Sequence, residues 1–99
     1  MENNVRSAHI MNIVIFRGEN MGTTKYIMSM GELYRKDNSL CFRKNGQNVY
    51  IPVENTKEIY CLNEVTVNTK LLDFLSQNHV VIHFFNYYNG YSGTFYPKD

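Results

Sequence analysis

The chain has 99 residues, with ten Lys and Arg against nine Asp and Glu and a formal net charge of +1. A chain this short folds as one domain with a lean core, because folding buries only about two thirds of the surface that the unfolded chain exposes. The near balance of charge excludes the basic signature of a general polyanion binder, so any nucleic-acid contact has to come from local clustering.

In chain order, residues 1–20 hold one strand-like run, Ile10 to Phe16, which is too short and too interrupted by Asn12 for the core of a signal peptide. Within it Ile13-Val14-Ile15-Phe16 has high β propensity and no charge, so it is expected to pair with a sheet edge or with another copy of itself. Two turns further on, Asp37-Asn38 and Asn45-Gly46, are of the residue types that tolerate positive φ in two-residue hairpin loops. If both loops are two residues long, Leu33, Phe42 and Val49 fall side by side on one face, joined by Leu40 and Ile51. The other face then carries Glu32 beside Arg43 and Asn48, and Tyr34 beside Cys41 and Tyr50. A slip of one residue would exchange the faces, so the agreement of the two turns predicts a three-stranded antiparallel meander, ended by Pro52.

Glu58 to Leu62 and Val65 to Val67 read as further short strands. Asn68 or Thr69 then suits an N-cap, Leu71, Leu72 and Leu75 recur at helical spacing, and Asn78 is suited to a left-handed end. Such a helix of about ten residues is unstable alone in water, so its leucines must pack on a sheet. His79 to Phe85 is apolar on both faces, the pattern of a central strand covered on both sides. Tyr87-Tyr88-Asn89-Gly90 turns the chain into Tyr91 to Tyr96. The expected fold is mostly β, a small antiparallel β-sandwich or half-barrel with a hairpin meander and one short helix. No run approaches the roughly 18 apolar residues of a membrane span, and the chain is expected in the cytoplasm.

Few residues suggest chemistry. Cys41 and Cys61 lie in apolar strand patterns without metal-ligand spacing and read as reduced, buried thiols. His79 and His83 would share one face of a helix as zinc ligands, but on a strand four residues span roughly 13 Å, too far for one ion. The acids are scattered singly, and no nucleophile sits beside a base or in a glycine-rich elbow. Arg35-Lys36 and Arg43-Lys44, flanking the two hairpin turns, form the one concentration of positive charge, with Tyr34 or Tyr50 nearby to stack. These four are the candidate DNA contacts; the alternative is ordinary exposed strand charge, with Glu32 neutralising Arg43 across the ladder. The run Asn86 to Tyr91 suits either a sugar-stacking platform or a turn whose tyrosines pack on the sheets or on a second subunit.

The segments Lys25-Tyr26-Ile27 before Gly31-Glu32-Leu33, Asn38-Ser39-Leu40, Tyr50-Ile51-Pro52-Val53-Glu54, Glu58-Ile59-Tyr60, Val65-Thr66-Val67-Asn68-Thr69 and Val81-Ile82-His83-Phe84-Phe85-Asn86 resemble the N-terminal β-domain of CRISPR-associated protein 1, the integrase subunit of CRISPR adaptation. The resemblance covers the last three quarters of the chain and implies an N-terminal extension at residues 1–20 followed by the family domain at 21–99. It implies a homodimer, with Tyr34, Cys41 and Tyr50 as the candidate interface because their face is apolar. It further implies contact with the branched ends of a DNA fragment and a dimer of CRISPR-associated protein 2 bridging two such homodimers. In the family the Mg or Mn ligands belong to a C-terminal helical domain, so no catalytic residue and no cofactor are assigned within these 99 residues. Some relatives place an aromatic wedge before the turn glycine, where this chain has Met30. The competing reading is a stand-alone module for protein or ligand binding.

Overall fold

The computed structural model describes residues 14–16, 23–86, 88 and 90–98, the first three through their backbone alone. Nine strands follow one another as β1 (Val14–Phe16), β2 (Thr24–Ile27), β3 (Gly31–Lys36), β4 (Ser39–Lys44), β5 (Gln47–Ile51), β6 (Glu58–Cys61), β7 (Val65–Thr66), β8 (Val81–Asn86) and β9 (Gly90–Phe95). One turn of 3-10 helix, Val53–Asn55, follows β5, and the helix α1 (Thr69–Gln77) precedes β8.

The meander forms in the expected register. Leu33 faces Phe42, Phe42 faces Val49, and Leu40 faces Ile51, while Tyr34, Cys41 and Tyr50 align on the opposite face. Asp37, Asn45 and Gly46 take φ of 57°, 50° and 79°, the left-handed values that short hairpin loops require. Strand β7 then joins β3 in parallel, giving a four-stranded sheet of order β5-β4-β3-β7.

The second sheet has five strands in the order β1-β2-β6-β8-β9, and it departs from the antiparallel expectation: β2, β6 and β8 all run parallel. Parallel neighbours need long crossovers. The meander supplies the first, between β2 and β6, and β7 with α1 supplies the second, between β6 and β8. Strand β1, within the segment expected to seek a sheet edge, pairs antiparallel with β2 at the margin of this sheet.

Both sheets and the helix contribute to one buried cluster that includes Ile27, Leu33, Leu40, Phe42, Ile51, Ile59, Leu71, Leu75 and Ile82. Helix α1 starts where Asn68 Oδ1 accepts the backbone N–H of Leu71 at 2.9 Å, a cap worth about 1 kcal/mol. Its end falls one residue later than the sequence suggests. Asn78 stays at φ −102° and His79 takes φ 57°, so that His79 N–H bonds Ser76 O and Val80 N–H bonds Leu75 O. That pair of bonds is a Schellman motif, with Leu75 and Val80 both fully buried beneath it. Lys25 points into the core end, where its Nζ donates to Asn55 O at 3.1 Å and burial pushes its pKa below the ordinary lysine value.

Gly31, the first residue of β3, is set by close approach. A Cβ there would lie 2.5 Å from Phe42 Cζ and 2.6 Å from the carbonyl oxygen of Arg43, and the latter, being backbone, cannot swing aside. Gly31→Ala is therefore expected to destabilise the domain by about 2 kcal/mol, read from urea denaturation, whereas Gly93→Ala should be nearly neutral because nothing lies within 4 Å of the added methyl.

Candidate functional site

The parallel directions of β2, β6 and β8 bring three turns to one end of the domain: Met28 to Met30, Leu62 to Glu64, and the turn before Gly90. The Asn45–Gly46 turn arrives at the same end, because β4 runs antiparallel to β3. Between the turns at residues 28–30, 62–64 and 45–46 lies an open depression of about 660 Å³, lined by Met30, Gly31, Glu32, Arg43, Lys44, Asn45 and Asn63 among others. Met30 stands at its mouth, 58% exposed. Asn63 shapes the floor: its Nδ2 donates to Met28 O at 3.2 Å and its Oδ1 accepts from Glu64 N–H at 2.7 Å.

The four candidate cations do not form one cluster. Successive turns of a meander lie at opposite ends, so Arg35 and Lys36 sit at the Asp37–Asn38 turn while Arg43 and Lys44 line the depression. Three residues of β3, roughly 10 Å, separate Arg35 from the level of Arg43. The two arginines also face opposite ways. Arg35 lies on the core side of the sheet, its guanidinium 4.6 Å from the Phe74 ring centre and its Nε donating to Asp37 O at 2.7 Å. Arg43 lies on the outer side, 4.5 Å over the Tyr34 ring, and donates to Glu32 Oε1 at 2.8 Å, the expected cross-strand pair. That bond to Glu32 holds the Arg43 pKa above its ordinary value.

Of the three residues expected at a subunit interface, only Tyr50 offers broad surface, being 57% exposed. Tyr34 donates its hydroxyl to Asn48 Oδ1 at 3.2 Å and supports Arg43. Cys41 is a correction: on the central strand between the two tyrosines it is 1% exposed and has no area to give a partner.

Strand β8 also differs from expectation. It lies inside its sheet, between β6 and β9, and Ile82 on the core side is fully buried. Its outer side is covered by rings of neighbouring strands instead of a second layer. Tyr26 stacks on Tyr60 at 5.2 Å, Tyr60 on His83 at 4.5 Å and on Phe85 at 6.2 Å, and Phe85 meets Tyr91 edge-on at 5.5 Å. Within this array His83 Nε2 lies 2.6 Å from Glu58 Oε2 and Nδ1 lies 2.9 Å from Thr94 Oγ1. A carboxylate only accepts, so Nε2–H is the donor to Glu58. Burial, then the adjacent Glu58 carboxylate, raises the Tyr60 pKa. Sequence reading missed this network, because only the parallel pairing of β6 with β8 sets Tyr60 opposite His83. The alternation of Glu58 with Tyr60 and of His83 with Phe85 was the one signal that pointed to it.

No three His, Cys, Asp or Glu side chains converge on a metal position among the described residues. His79 ends the helix, and both ring nitrogens of His83 are engaged. Of the Asn86 to Tyr91 run, Tyr87 and Asn89 lie outside the described residues; Tyr91 hydroxyl is 2.7 Å from Thr94 Oγ1. No helix among the described residues is long and apolar enough to cross a membrane.

The profile of the family described as CRISPR associated protein Cas1 matches residues 25–99. The CRISPR-associated endonuclease Cas1 2 of Thermodesulfovibrio yellowstonii is 52% identical over 79 residues, which make up 80% of this chain and 24% of that protein. A solved Cas1 structure from Thermotoga maritima superposes with a TM-score of 0.72 at 45% identity, covering 77% of this chain and 24% of that one. A TtCas1–DNA complex (TM-score 0.63, 8% identity, 75% of this chain and 29% of that one) and a partial Cas6-RT-Cas1–Cas2 complex (0.64, 14%, 75% and 23%) share the fold. The chain thus spans about a quarter of the length of its relatives and matches their N-terminal domain.

Both thiols are buried, and burial pushes the Cys61 pKa from 9.0 up to about 12. The folded state therefore holds the Cys61 proton more tightly than the unfolded chain does, so the associated stability is complete below pH 9 and is lost as pH rises from 9 towards 12. Denaturation across that range should show a shallower decline in Cys61→Ala than in the parent. Iodoacetamide should leave both thiols unmodified at neutral pH until denaturant is added.

Proposed function

The chain belongs to the CRISPR-associated Cas1 family, and from that premise we propose that residues 21–99 are the N-terminal β-domain of a CRISPR adaptation integrase, working in the cytoplasm to pair subunits and to seat the end of a DNA fragment. Residues 1–20 are an upstream extension that adds β1 to the sheet edge. The chemistry of the full-length protein, a metal-dependent endonuclease and integrase using Mg or Mn, belongs to a helical domain outside these residues. The donor set here does not fit such an ion: Glu58 and His83 are the one close acid–imidazole pair among the described residues, and His83 is saturated by Glu58 and Thr94.

The observation that carries the reading is the depression at the turn end. An exposed thioether at Met30 can lie against an unstacked base pair, as an unbranched apolar side chain that adapts to irregular surfaces. Lys44 beside it supplies positive charge for phosphate oxygens, and Arg43, paired with Glu32 through one nitrogen, offers its other N–H groups, while Asn45 and Asn63 add neutral polar edges. Gly31 keeps the backbone under Met30 pressed against Phe42, so the tip is held on rigid strands.

Pairing of two copies is assigned to the outer face of the four-stranded sheet, with Tyr50 as the anchoring ring and Tyr34 beside it. A dimer of CRISPR-associated protein 2 would bridge two such pairs; a solved complex that shares this fold contains Cas1 together with Cas2.

The split of the cations makes the DNA claim specific. With a forked duplex, replacing Arg43 and Lys44 by Gln should lower the salt-dependence slope by roughly 0.9 for each phosphate that is no longer neutralised, with no change in sequence preference. Replacing Arg35 and Lys36 by Gln, at the far end of the hairpin, should leave the slope where it was. Equal effects of the two pairs, or none from Arg43 and Lys44, would remove the depression from the DNA path.

A further inference from the structure

The two sheets carry the same short pattern on their outer faces, a glutamate followed two residues later by a tyrosine: Glu32 with Tyr34 on β3, and Glu58 with Tyr60 on β6. In the four-stranded sheet the pattern is filled from within. Arg43, directly opposite Glu32 on β4, lays its guanidinium over the Tyr34 ring and donates to Glu32 Oε1. In the five-stranded sheet the neighbouring strand offers His83 instead, which stacks on Tyr60 and takes Glu58 Oε2, as does the Tyr60 hydroxyl at 3.3 Å. Glu58 Oε1 accepts no hydrogen bond from any described residue, and the side chain remains 37% exposed. Among the described residues, no Lys or Arg alternates onto this face from β2, β6, β8 or β9: the one lysine of these strands, Lys25, points into the core.

We propose that this face is a docking surface for a protein segment that presents an arginine, whose guanidinium donates to Glu58 Oε1 while its alkyl stem lies across the outer edges of the Tyr26 and Tyr60 rings. Charge selects the occupant. A face whose described residues hold one open carboxylate and no ammonium or guanidinium repels phosphate, which disfavours a nucleic-acid strand despite the row of rings. A guanidinium is weakly hydrated and planar, it makes a charge-assisted hydrogen bond to a carboxylate as Arg43 does with Glu32 in the other sheet, and its alkyl stem can cover ring edges. Arginine is also over-represented among the residues that dominate binding at protein interfaces.

The test titrates the 99-residue chain with acetyl-Gly-Arg-Gly-amide and with the same peptide carrying citrulline, a neutral analogue of matching shape, followed by two-dimensional NMR. The arginine peptide should shift the resonances of Tyr26, Tyr60 and His83, and the citrulline peptide should not. Glu58→Gln should weaken binding by about tenfold, the loss of one charge-assisted hydrogen bond. Tyr60→Leu keeps the carboxylate, removes the ring and should weaken binding as well, so the claim stays testable if Glu58→Gln unfolds. Thr94→Val, which removes the Thr94 contacts to His83 Nδ1 and to the Tyr91 hydroxyl but leaves Glu58 and Tyr60 in place, should bind as the parent does. Equal shifts with citrulline, unchanged affinity in Glu58→Gln, or loss in Thr94→Val as large as in Glu58→Gln would each overturn the proposal. So would a change of oligomeric state caused by Glu58→Gln in the absence of peptide, which would give the face to a second copy of the chain.

Discussion

The contact on which the rest of this structure depends is that between the Phe42 ring and the bare backbone of Gly31. Phe42 is the largest of the fully buried side chains, and it occupies the space where any other residue at position 31 would carry its Cβ. Because the ring reaches that far, the start of β3 lies flat against β4, and Gly31 N–H can still bond Glu64 O at 3.2 Å, which ties β7 to the same point. Core packing is dense enough that such a contact leaves little freedom. The residue just outside it, Met30, is consequently presented at a fixed place next to Arg43 and Lys44. A packing constraint inside the domain thus determines the geometry of its most exposed tip.

What was legible in the sequence was local. Asp37-Asn38 and Asn45-Gly46 are turn chemistry, and with period-two alternation they fix every pair of the meander; Asn68 is cap chemistry, and it starts α1 where expected. The end of α1 was misplaced by one residue because a Schellman turn puts the left-handed conformation at the position after the cap, and His79 accepts it there so that Val80 can be buried. Non-local pairing was not legible. Nothing in the four residues of β6 announces that they run parallel to β2 and β8, so the alternation within each strand could not by itself pair Glu58 with His83, 25 residues away. The apparent basic cluster failed for the opposite reason: Arg35 and Arg43 are near in sequence, yet a hairpin turn lies between them and their strands face them in opposite directions.

The domain also separates its surfaces by charge. At the turn end, Lys44 and Arg43 border a polar depression that Glu32 also lines, the site proposed for phosphates. Across the five-stranded sheet the described outer residues include the rings of Tyr26, Tyr60 and Phe85, Thr24, Val81, Thr94, the His83 imidazole and the Glu58 carboxylate. The Tyr34–Tyr50 face lies between these extremes, with the Arg43 guanidinium shared between Glu32 and the Tyr34 ring and the Cys41 thiol buried. The proposed function requires such a partition, since one surface cannot favour a polyanion and a cationic side chain at once.

The most direct test of the account is where DNA touches the domain. A photoreactive amino acid placed at Met30, and as a control at exposed Asn38 on the opposite end of the hairpin, can be irradiated with a forked duplex labelled at the junction. The account predicts a crosslink from position 30 that maps to the nucleotides at the fork and none from position 38. Crosslinks from position 38 in equal yield, or a position 30 adduct spread evenly along the duplex, would contradict it.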